Sequence, residues 1–131
     1  MAYAVKTKVP VYQTKMEIEK MVKKAGAEGF GLMELKGRVQ IAFQMNRRNI
    51  MFRVMVPEND PQGERSMWRA LSLTIKGKLE SWERGIETFE EAFLANIVMP
   101  DGRTVADHAA PAIESGYSSG KSVPLLPDFR Q

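Results

Sequence analysis

Residues 38–56 read RVQIAFQMNRRNIMFRVMV. Before the polar break, Val39, Ile41, Phe43 and Met45 alternate with Arg38, Gln40, Ala42 and Gln44; after it, Ile50, Phe52, Val54 and Val56 alternate with Met51, Arg53 and Met55. A period of two belongs to a strand and not to a helix. Two such runs joined by a turn at "NRR" predict an antiparallel hairpin, strands 38–45 and 49–56, with one face in a core. A slip of one residue would expose every apolar side chain, so the register is tightly specified. The opposite face is half polar and half methionine. It is therefore either partly covered or a contact surface.

The flanks extend this hairpin into an α+β domain. Gly-broken "GFGLMEL" (29–35) and the Lys36-Gly37 turn add a strand in front, giving a three-stranded antiparallel meander. Upstream, residues 1–13 read as an extended arm limited by Pro10. Thr14 with Glu17 looks like a capping box opening a helix whose buried side is Ile18, Met21, Val22 and Ala25, with Glu19 and Lys23 paired outside and Gly26 as the stop. Downstream, Asp60-Pro61 is a start signal, and Trp68, Leu71, Ile75, Leu79 and Trp82 form one apolar stripe of a long helix ending near Gly85. Thr88 with Glu91 caps a shorter helix that buries Phe89, Phe93 and Ile97. "MPDGRT" is a turn. Thr104 and Asp107 open a last helix that Pro111 must kink or end, and 117–131 forms an extended tail packed through Val123, Leu125 and Leu126. The expected architecture is an N-terminal helix, the meander, then two or three helices on one sheet face, in a single domain spanning 1–131.

Composition narrows the function classes. With 131 residues and 44% apolar content, the chain can bury a core unaided. The absence of cysteine removes disulfides, cysteine-zinc sites and thiol nucleophiles, and suits a reducing cytoplasm. No apolar run approaches the ~20 residues of a membrane span, and the N-terminus lacks a signal-peptide core, so a cytoplasmic protein without a membrane partner is expected. The net charge of +3 is uneven: residues 1–60 carry eleven Lys/Arg against six Asp/Glu, and 61–131 carry eight against ten. The positive excess sits in the N-terminal half, where it permits contact with phosphate.

Little in the sequence points to catalysis. His108 is the single histidine, and its neighbour Asp107 would project about 100° away on a helix, so no nucleophile–base–acid set is evident. Glu34 and Lys36 stand as an acid and a lysine do in metal-dependent nucleases, but no aspartate precedes Asp60 to supply the second carboxylate. The expectation is a protein that is not an enzyme and needs no cofactor or metal. The basic residues are the stronger candidates. Lys20, Lys23 and Lys24 on the first helix, with Arg38, Arg47, Arg48 and Arg53 on the hairpin, could follow a phosphate backbone if they converge. Met51 and Met55 are the candidates for a protein contact. Double-stranded RNA-binding domains share the helix–three strands–helix order. Their longer first loop and Lys-rich second helix are missing here, so RNA binding is not carried over.

The stretches "TKMEIEKMVKKAGAEGFG", "VQIAFQMNRRNIMFRV", "WRALSLTIKGKLESWERGIETFEEAFLANIVMPDGRTVADH" and "PLLP" resemble a family of small proteins in tailed-phage and prophage genomes. The likeness covers most of the chain and implies a phage setting in a bacterial host cell, with no reaction or catalytic residue. The segment before Trp68 is shorter here than in that family. The expected function is a phage accessory protein that binds nucleic acid in replication or recombination, with DNA one candidate partner. The alternative is a protein-binding module that inhibits a host or defence enzyme. The long helix leaves room for a homo-oligomer.

Overall fold

The computed structural model describes residues 7–130. Its elements in chain order are α1 (Val11–Lys24), β1 (Gly29–Leu35), β2 (Arg38–Met45), β3 (Arg48–Met55), α2 (Pro61–Glu83), α3 (Phe89–Phe93) with a 3-10 turn at Leu94–Asn96, and α4 (Val105–Ser119). The α+β architecture matches the sequence expectation. Order β1-β2-β3 makes the sheet a simple antiparallel meander.

The alternating positions of β2 and β3 behave as their period requires. Val39, Ile41, Phe43, Met45, Ile50 and Phe52 are buried on the inner face. Against them lie Ile18 and Val22 of α1, the Trp68–Leu71–Ile75–Leu79 stripe of α2, and Phe89, Ala92 and Phe93 of α3. Phe93 meets the edge of Phe43 at 6.3 Å and stacks on Phe89 at 4.8 Å, a geometry that suits the aromatic quadrupole. Lys15 ties three elements together: its ammonium is 2.5 Å from Glu34 of β1 and 5.2 Å from the Trp68 ring centre. Arg69 of α2 reaches Glu17 of α1 at 2.8 Å.

Several boundaries differ from the sequence reading. The expected extended arm, residues 1–13, has 1–6 outside the described residues, and α1 already begins at Val11. Pro10 is its cap residue, and the Pro10 carbonyl accepts from Gln13 and Thr14. Thr14 is therefore one turn inside the helix. It is fully buried, and its hydroxyl has no hydrogen-bond partner among the described residues, so the capping box with Glu17 does not form. The downstream box of Thr88 with Glu91 does form, and Thr104 with Asp107, expected to open the last helix, makes a capping box too.

Ile97 was expected on a helix face. It instead leaves the 3-10 turn extended and bridges Ile50 at the β3 edge. The "MPDGRT" turn accounts for this, since Met99 donates to Arg103 and Val105 to Ile97, folding the segment back on itself. Pro111 neither ends nor divides α4, which runs on to Ser119 and stops at Gly120 with φ 71°. The carbonyl four residues before a proline loses its helical donor. Here that carbonyl, on Asp107, accepts from the Arg103 guanidinium at 3.3 Å. The extended tail thus starts beyond Ser119, not at 117. Val123 is half-buried, but Leu125 and Leu126 are exposed. The tail's aromatic anchor is Phe129, edge-on to His108 at 5.8 Å.

Candidate functional site

Two tight turns decide which side chains share a face. Lys36-Gly37 joins β1 to β2, with Gly37 at φ 76°. The second turn is Asn46-Arg47, both left-handed at φ 52° and 62°, the conformation that matches strand twist in a two-residue hairpin. Arg48 therefore belongs to β3 and not to the turn. The resulting outer face carries the rows Leu35–Arg38–Met55, Met33–Gln40–Arg53 and Gly31–Ala42–Met51.

Among the described residues, no helix covers the first two of those rows. Met33, Leu35 and Met55 are 55%, 54% and 69% exposed. With Arg38, Gln40 and Arg53 they line an open depression of about 180 Å³. Arg53 is held at its rim by Asp107 of α4 at 2.5 Å. The Asp107 carboxyl is pulled down to about 2, first by the Thr104 backbone N–H and then by the Arg53 guanidinium. Met51, the other methionine singled out from the sequence, is half-buried, and its carbonyl accepts from the Asn96 amide at 3.1 Å. Met55 alone of that pair is open. Sequence reasoning missed Met33 and Leu35. Counting back across the Lys36-Gly37 turn would have found them, because Leu35 faces Arg38 and Met33 faces Gln40.

The seven basic candidates do not form one patch. Lys23 pairs with Glu19, Arg48 with Glu90 and Arg53 with Asp107, each at 2.5 Å. Lys20, Lys24, Arg38 and Arg47 make no ion pair among the described residues. Arg38 begins β2 and Arg47 follows its far end, so roughly 25 Å of strand separates them. The C-terminal turn of α1 leads through 25–28 into β1 opposite Gln44. Lys20, Lys24 and Arg47 therefore lie toward one end of the molecule. The groove that holds Lys20 and Lys24 is also lined by Glu17, Glu80 and Glu83, which offset their charge.

Of the residues considered for chemistry, Glu34, Asp107 and His108 have structural partners. Glu34 is paired with Lys15, on the inner side of the sheet, while Lys36 lies in the turn. No group of three or more His, Asp or Glu side chains among the described residues is placed to hold a metal ion. His108 Nε2 lies 2.8 Å from Asp101, not beside Asp107, and only 9% of its side chain is exposed. That close approach holds the Asp101 carboxyl below its usual range. Among the described residues, no helix is long and apolar enough to cross a membrane.

Comparison with protein-family models, with curated proteins and with solved structures finds no match to this chain.

Proposed function

We propose that this chain is a binding protein and not an enzyme, and that it engages a protein partner on the open outer face of its sheet. The observation that carries this reading is the exposed set Met33, Leu35 and Met55 around a depression with Arg38 and Arg53 at its rim. Apolar side chains gathered in one exposed, polar-rimmed patch mark contact surfaces more than solvated ones. Methionine adapts its shape to a partner at small cost. The chemistry fits an apolar side chain flanked by a carboxylate, since Arg38 pairs with no acid among the described residues. In the phage setting that the resemblance implies, the partner is a protein of the phage or of its host, such as a defence enzyme.

A second reading, nucleic-acid binding, rests on the unpaired Lys20, Lys24 and Arg47 at one end of the fold. Two double variants separate the readings. Met33→Glu with Met55→Glu should abolish recovery of a specific protein from infected-cell extract, while Lys20→Glu with Arg47→Glu should not. Retardation of DNA or RNA at low salt, lost in the second variant and steeply salt-dependent, would move the function to nucleic acid.

A further inference from the structure

The two edges of the sheet are treated differently. Along β3, Val98 donates to the Asn49 carbonyl at 2.8 Å and Asn96 to that of Met51 at 3.1 Å, closing half of that edge. Beyond its ladder with β2, β1 makes no backbone hydrogen bond among the described residues. Exposed edges are normally guarded by lysine, proline or a charge pointing inward. "GFGLMEL" has no lysine and no proline, and its one charge, Glu34, is neutralised by Lys15.

The turn geometry fixes which backbone groups point out. Residues flanking a two-residue turn form a hydrogen-bonded pair, and such pairs recur at every second position. Leu35, Met33 and Gly31 therefore direct their N–H and C=O groups to β2. Phe30, Leu32 and Glu34 direct theirs away from the sheet. The same phase holds across the sheet, where Val56 donates to Gly37 at 2.9 Å and Asn49 faces the outside of β3.

Gly31 has no explanation within one copy, and the space beside Gly29 is open as well. Neither has a positive φ. A Cβ at Gly29 would meet nothing within 4 Å, and one at Gly31 only the Ala42 carbonyl at 4.0 Å. Glycine weakens a strand unless something must approach closely. We infer that the approaching element is β1 of a second copy, and that two chains pair antiparallel about a two-fold axis through Leu32 to form a continuous six-stranded sheet.

In this register Leu32 faces Leu32 of the other copy and Phe30 faces its Glu34, and all of these residues have free outward backbone groups. Between them, Gly31 faces Met33 and Gly29 faces Leu35. These are the non-hydrogen-bonded positions, where opposed side chains come closest. Each large side chain thus meets a glycine. An axis at Glu34 would instead oppose two carboxylates, and one at Gly31 would set Glu28 against Glu34, contacts that destabilise antiparallel pairs. Self-complementarity of one patch is what a two-fold interface requires. The pairing does not rest on the protein-partner reading, although it would join the outer faces of both copies.

Sedimentation of the full chain over a concentration series tests the pairing, with Gly31→Val and Leu32→Pro alongside. The wild type should pass from the 14.8 kDa monomer to twice that mass as concentration rises. Gly31→Val fills the space for Met33 of the other copy, and should weaken dimerisation at least tenfold without lowering the thermal midpoint. Leu32→Pro removes an outward N–H and spares the β2 ladder, and should give a monomer with an unchanged circular dichroism spectrum. Loss of the dimer in either folded variant supports the inference. A single-chain mass at every concentration up to about 1 mM, or a dimer that Gly31→Val leaves intact, overturns it.

Discussion

Arg53 on β3 and Asp107 in the first turn of α4 are separated by 54 positions in the chain and 2.5 Å in space. The same carboxylate accepts from the Thr104 backbone N–H at 3.0 Å, and the Asp107 carbonyl accepts from Arg103. One residue therefore caps a helix, anchors it to the sheet edge and absorbs the defect that Pro111 introduces.

That concentration of roles sets an acid limit. The Asp107 pKa falls from 3.8 to about 2 on folding. A depressed carboxyl adds stability that is complete above the unfolded pKa and is lost as pH falls through the folded one. Urea midpoints should therefore drop between about pH 4 and pH 2. Asp107→Asn should flatten that drop, and Asp107→Ala should cost about 1 kcal/mol at neutral pH through the lost cap.

Thr14 gives a prediction whose sign separates two readings of the same residue. A capping threonine replaced by valine would lose about 1 kcal/mol. A buried hydroxyl without a partner is a penalty instead. Thr14→Val keeps the shape, so the chain should become more stable by about 1 kcal/mol in chemical denaturation.

Arg47 holds a left-handed conformation, φ 62°, at the second position of its turn. That conformation costs a non-glycine residue about 1 kcal/mol. Arg47→Gly creates Asn-Gly, the pairing this turn favours. Thermal denaturation should register a gain near that size, and a loss would mean the guanidinium does more than face solvent.

Phe93 is fully buried between Phe43 and Phe89. Phe93→Ala should cost about 3–5 kcal/mol, the range for an aromatic cavity in a core. Met55→Glu, on the open face, should stay within about 0.5 kcal/mol of the parent. Paired denaturation curves would show whether the inner and outer faces differ as their burial implies.

The elements legible in the sequence are those governed by neighbours. Alternation over 38–56 located β2 and β3 because each side chain's face follows from the one before it. The capping boxes at Thr88 and Thr104 were legible because cap and partner lie three residues apart. The identical pattern at Thr14 misled because α1 starts a turn earlier, at Val11, which places Thr14 inside the helix on its buried side. Met33 and Leu35 were obscured by the glycines of β1, which dilute the period-two signal. The ion pairs Arg48–Glu90 and Arg53–Asp107 had no local trace at all. They depend on where the chain returns after α2, and they occupy two of the seven candidate cations, while a third, Lys23, is taken by its local partner Glu19.

The clasp between α1 and α2 has a consequence for how the chain is made. Glu17 meets Arg69, which lies 52 positions later. A ribosome adding ~5–20 residues per second needs roughly 3–10 s to supply that partner. During that interval the meander can close from its own short-range pairs, while its apolar inner face and the underside of α1 have no α2 to seal them. The nascent chain is thus most exposed to misassociation just before Trp68 emerges, and the arrival of one helix ends that exposure for three elements together.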